Sequence, residues 1–82
     1  MFIGSTRDFA AFVRSHRIGA KMTQDELARA TGMSRRWVQE IEAERIKPTL
    51  EAVLSVAATF KQEMHLEPAG NADPFREIFE GL

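Results

Sequence analysis

The chain has 82 residues, 44% of them hydrophobic, and no cysteine: enough for one small domain with a thin core, with no disulfide or thiolate-bound metal to staple it. Net charge is −1, yet residues 1–47 hold nine Lys/Arg against six Asp/Glu and residues 48–82 hold two against six, a basic half followed by an acidic one. That asymmetry points to one face for nucleic acid and another for something else, while the longest apolar stretch, Ala52 to Phe60, is interrupted by Ser55 and Thr59 and is too short to span a bilayer.

Met1 to Gly4 lacks a basic start followed by a long apolar run, so no signal peptide is expected and a cytoplasmic, nucleoid-associated protein is the simplest expectation. Ser5 or Thr6 can cap a first helix with Asp8 in its first turn, where negative charge is favoured. Phe9, Phe12, Val13 and His16 then fall on one face at helical spacing and read as core. Arg14, Arg17 and Lys21 cluster toward the helix end, where they suit the C-terminal dipole as well as they would suit DNA. Gly19 is the expected terminator.

Thr23 to Glu42, TQDELARATGMSRRWVQEIE, organises the chain. Thr23 and Glu26 have the spacing of a capping box, and Leu27, Ala28 and Thr31 supply a small, apolar inner face. Gly32 stands where the chain must reverse, Ser34 caps a second helix, and Val38 and Ile41 point that helix's apolar side inward. Arg35, Arg36, Trp37, Gln39 and Glu40 are left outward. Two guanidinium groups at a helix start oppose the helix dipole, so a phosphate or a guanine edge explains them better than stability does. This is the pattern of a helix-turn-helix that inserts its second helix into the DNA major groove.

Ala43 to Lys47 reads as a loop carrying Arg45 and Lys47, and Pro48-Thr49 as the start of a fourth helix with Glu51 in its first turn. Leu50, Val53, Leu54, Ala57 and Ala58 would be the apolar face on which the other three helices pack. In Glu63-Met64-His65-Leu66-Glu67 the apolar positions alternate before Pro68 and Gly70, which predicts a strand. A lone strand needs a partner, and the most economical one is the same strand of a second copy, with Met64, His65 and Leu66 at the contact; the other reading is an extended tail. Residues 73–82 read as a short helix with Pro74 in its first position and Phe75, Ile78, Phe79 and Leu82 on one side, packed on the parent domain or docked into a partner protein. The expected organisation is a helix-turn-helix domain at 1–61, a dimerisation strand and turn at 62–70, and a C-terminal tail or short helix at 71–82. The fold class is all-α with four helices plus that strand and tail.

Residues 7–60 resemble the Cro and phage-repressor (XRE-like) helix-turn-helix family in Thr23-Gln24, Glu26-Leu27-Ala28, Gly32-Met33-Ser34, Val38, Ile41-Glu42 and Pro48-Thr49-Leu50. The resemblance implies that Gln24 touches a phosphate and that Ser34, Arg35, Arg36 and Trp37 enter or flank the major groove. With Gln39, and with Arg45 and Lys47 on the DNA backbone, these are the candidate DNA-binding residues. Trp37 occupies a site that the family usually gives to a small polar residue; it either meets a sugar or thymine methyl or leans back onto the core. The family often has glycine where this chain has Glu44, so a different helix exit is expected there.

A single helix after the motif followed by EMHLEPAG looks like the HipB-type antitoxins. That narrower resemblance implies a homodimer on a palindromic double-stranded DNA operator, autorepression, and a HipA-like toxin kinase as partner. A stand-alone phage-type regulator and a protein-interaction module with weak DNA binding are the alternatives. An enzyme is not expected: there is no tyrosine or cysteine, His16 and His65 are far apart, and no phosphate loop, metal-ligand spacing or cofactor motif is present.

Overall fold

The structure, a computed structural model, describes residues 2–68. Four helices follow in order: α1 (Thr6–Gly19), α2 (Gln24–Thr31), α3 (Arg35–Glu42) and α4 (Leu50–Thr59). Each starts the same way. Ser5, Thr23, Ser34 and Thr49 sit in extended backbone and accept, through their hydroxyls, from the amides of Asp8, Glu26, Trp37 and Ala52 at 3.2, 3.0, 3.0 and 3.1 Å. Each cap satisfies a donor that the first helical turn leaves without a partner. At Thr23 the box is reciprocal, since the Thr23 amide also donates to Glu26 Oε1 at 3.0 Å.

The helix ends share a second device. The cap residue itself at α2, and the residue after the cap at α1, α3 and α4, enters the left-handed region, and the next amide reaches back five residues to a carbonyl: Met22 to Arg17, Met33 to Ala28, Arg45 to Glu40 and Gln62 to Ala57, at 2.8–3.0 Å. Only at α2 is the left-handed residue glycine, Gly32 at φ 75°; the others are Lys21, Glu44 and Lys61 at φ 57°, 60° and 56°. The expected terminator Gly19 is therefore the last residue of α1, and the reversal falls two residues later on Lys21. Likewise, Glu44 in the place of a glycine leaves the exit from α3 in the same geometry as the other helices.

The core draws on every helix. Phe9, Phe12 and Val13 from α1, Leu27 and Ala28 from α2, Val38 and Ile41 from α3 and Val56 from α4 are buried together, with Met22, Trp37, Val53 and Phe60 packed against them. Burying each of the larger of these, the Phe, Val, Leu and Ile side chains, stabilises by about 1.5–3 kcal/mol. Phe60 meets Phe12 edge-on at 6.3 Å, and His16 lies against both rings at 5.4 and 4.2 Å with Nδ1 3.0 Å from the Phe12 carbonyl oxygen. His16 is thus an aromatic-packed residue at the core edge. α4 is held to the end of α2 by Ser55, whose hydroxyl donates to the Thr31 carbonyl at 3.1 Å.

Two expectations change. The buried face of α4 is Ala52, Val56 and Ala57, with Val53 half-buried, whereas Leu50 and Leu54 are 64% and 46% exposed. The small Ala52 and Ala57 let α4 approach its neighbours closely, which turns the two leucines outward. The strand expected at Glu63–Glu67 is absent from the single chain: residues 62–68 form neither helix nor strand, and Met64, His65 and Leu66 are exposed. A ladder needs a second strand, and none exists among the described residues. The tail residues Phe75, Ile78, Phe79 and Leu82 lie outside the described residues.

Candidate nucleic-acid interface

The turn between α2 and α3 is short because Gly32 supplies the left-handed step and Ser34 caps the next helix two residues on. Val38 and Ile41 are then buried, at 0% and 1% exposure, which fixes the rotation of α3 about its axis. With that rotation set, Ser34, Arg35, Arg36 and Gln39 stand exposed along the opposite side. Arg35 and Gln39 are one turn apart and share a face.

Arg36 approaches Glu40 only at 3.9 Å, and its side chain is 87% exposed. Arg35 makes no ion pair among the described residues. Both arginines therefore present their donors outward at the positive end of α3, Arg35 with no ion pair among the described residues and Arg36 with only the long contact to Glu40.

An open cleft lies on each side of this helix start. One is lined by Arg17, Thr23, Gln24, Asp25 and Arg35, so it brings Arg35 beside the N-terminus of α2. The other is lined by Ser34, Arg36, Trp37, Glu40 and Ile46, so the loop after α3 contributes to it. Arg45 and Lys47 on that loop are exposed. Trp37 is half-buried and packs against the core cluster while still lining the second cleft. Of the two orientations expected for Trp37, the lean onto the core is present, with the residue still partly exposed at the cleft.

Gln24 is half-buried, and its side-chain amide donates to Glu42 Oε1 at 3.4 Å. It belongs to a network that the sequence did not reveal. Arg17 donates through Nε and Nη2 to the two oxygens of Glu42, at 2.7 and 2.9 Å, and through Nη1 to the Met22 carbonyl at 3.0 Å. The side chains are 15% and 6% exposed. The bidentate hydrogen bond to Glu42 raises the Arg17 pKa further above its ordinary value, against the opposing effect of burial. The pair ties the last turn of α1 to the last residue of α3, and Gln24 extends it to the first turn of α2. No spacing rule links residues 25 positions apart, so nothing in the sequence marked Arg17 as a positioning residue rather than a dipole partner or a DNA contact.

A short capped helix, a glycine turn, a second helix locked by two buried aliphatics and exposed arginines at its start define the helix-turn-helix class of DNA-binding domains. In agreement, residues 8–63 match the family described as helix-turn-helix domain. The match spans most of the chain, and the protein belongs to that family, which includes XRE-like regulators. No curated protein matches the chain. No helix among the described residues is long and apolar enough to cross a membrane.

Proposed function

We propose that this protein is a sequence-specific transcriptional repressor that binds a palindromic operator as a homodimer. The observation that carries the reading is the pair Arg35 and Arg36, exposed at the start of a helix whose rotation the core fixes, Arg35 without an ion pair among the described residues and Arg36 with only a 3.9 Å approach to Glu40. Each copy places α3 in the major groove, with Arg35, Arg36 and Gln39 reading base edges and Ser34 and Trp37 beside them. Gln24, Arg45 and Lys47 hold the DNA backbone, which gives affinity and register without sequence information. Gln24 serves this role as a preset group, since its hydrogen bond to Glu42 already restricts it.

The finer reading is an antitoxin that represses its own operon and restrains a kinase toxin of the HipA type. It rests on the resemblance of residues 62–70 to HipB-type chains. The exposed Met64 and Leu66 support it as apolar positions without cover among the described residues. In this reading Met64, His65 and Leu66 pair across the dimer axis, and Phe75, Ile78, Phe79 and Leu82 are candidates for contact with the kinase. A stable complex with the product of an adjacent kinase-like gene distinguishes an antitoxin from a stand-alone regulator.

The deciding experiment is selection of bound duplexes from a random DNA pool. A two-fold symmetric motif with half-sites about one helical turn, roughly 34 Å, apart supports the dimeric repressor. Weak, salt-sensitive binding with no enriched motif rejects it.

A further inference from the structure

The outward side of α4 is unlike that of the other helices. α4 carries one charged residue, Glu51, in ten positions, while the eight-residue α3 carries four. Its exposed residues include Leu50, Leu54 and Ala58, spaced by four so that they form one stripe along the helix. Leu50 and Leu54 keep 64% and 46% of their surface, so the stripe is a bare apolar ridge rather than a few stray atoms.

We infer that this ridge is the contact between two copies of the chain, with α4 packed antiparallel on its partner's α4 about a two-fold axis at Leu54. The inference rests on the homodimer proposed above, but places its axis on α4 in place of the pairing of Met64, His65 and Leu66. Charge complementarity selects the occupant. Glu51 stands in the first turn of α4 and Lys61 just beyond its last, and neither makes an ion pair among the described residues. With Leu54 on the axis, Leu50 meets Ala58 of the other copy. At about 1.5 Å of rise per residue, Lys61 of that copy falls one turn beyond Glu51, within reach of two long side chains. The symmetry makes each such pair twice. The antiparallel arrangement also sets each helix N-terminus beside the other copy's C-terminus, so the dipoles oppose and attract. A two-fold contact requires a patch complementary to itself, and this one has an apolar line flanked by opposite, unpaired charges.

Cysteine-directed cross-linking of the full chain tests it, because the chain has no cysteine of its own. Leu54→Cys is expected to form a disulfide-linked dimer in most of the protein under mild oxidation, since the two copies of this position face each other on the axis. Leu54→Asp is expected to sediment as a monomer with unchanged helical circular dichroism. Three results overturn the inference. Leu54→Cys stays uncross-linked while Leu66→Cys links, which moves the contact to residues 62–68. The full chain sediments as a monomer, and removal of residues 69–82 makes it associate, which assigns the ridge to the chain's own tail. Leu54→Asp remains a dimer. None of these readouts involves DNA, so a symmetric operator selected by the wild-type chain would leave the repressor reading standing even where this surface fails.

Discussion

Arg17 and Glu42 lie 25 residues apart and meet through two hydrogen bonds of 2.7 and 2.9 Å at side chains almost closed to solvent. The pair sets the end of α3 against the end of α1, and so takes part in aiming the arginines at the other end of α3. Removing one partner strands a charge in the interior. Arg17→Met is therefore expected to destabilise by about 3–5 kcal/mol, a large share of the stability of so small a domain. The double variant Arg17→Met/Glu42→Leu is expected to regain most of that loss, because an apolar pair of similar volume needs no compensation. Urea unfolding of the two variants and the wild type measures both; a double variant as unstable as the single one would show that the pair holds more than its own charges.

The three non-glycine residues in left-handed backbone make a second expectation. Glu44 at φ 60° bears a Cβ penalty that glycine lacks, so Glu44→Gly is expected to stabilise by about 1 kcal/mol. Gly32→Ala is the converse. A Cβ at Gly32 would meet no atom within 4 Å, so its expected cost of about 1 kcal/mol is backbone strain alone. Equal and opposite shifts in the thermal midpoint would confirm the device; a stabilising Gly32→Ala would refute it.

Acid stability should report on the capping box of α2. Hydrogen bonds from the Thr23 amide, then from its hydroxyl, hold the Glu26 carboxylate below its ordinary pKa. A carboxylate whose pKa is lower in the folded state than in the unfolded one contributes stability that is present above the unfolded value. That contribution is lost as pH falls through the folded value. Glu26→Gln is expected to flatten the stability profile below the ordinary glutamate range and leave its slope near neutral pH unchanged. An identical acid limb in wild type and variant would mean that other carboxylates set it.

Much of this architecture is legible in the residues. The Ser/Thr caps, the capping box and the Val38–Ile41 spacing each act within one or two turns, so local chemistry foretells α2, α3 and the exposed arginines. What escapes the sequence acts across space. The Arg17–Glu42 pair has no local signature. The inward face of α4 went to Ala52, Val56 and Ala57 because close helix approach favours small residues over the larger Leu50 and Leu54. Period-two alternation at 63–67 shows a segment that suits a strand, but a strand also needs a partner, which one chain cannot reveal.

The division of labour between Arg35 and Lys47 is the sharpest test of the DNA reading. Arg35 is exposed on α3 beside Gln39 and next to the N-terminus of α2, whereas Lys47 is on the loop before α4. If Arg35 reads a base edge, Arg35→Ala is expected to relax specificity at one operator position, with a discrimination loss of about 1–3 kcal/mol there. Lys47→Ala removes a phosphate contact and is expected to weaken all sequences alike, lowering the slope of log affinity against log salt by about 1. Trp37, the only tryptophan, gives the signal: its half-buried indole lines the cleft beside Arg36, so its emission should change when a duplex binds. Titrations of the selected operator and of single-base variants at several salt concentrations separate the two effects. If Arg35→Ala lowered affinity uniformly and Lys47→Ala altered base preference, the groove-facing side of the domain would have to be reassigned to the loop after α3.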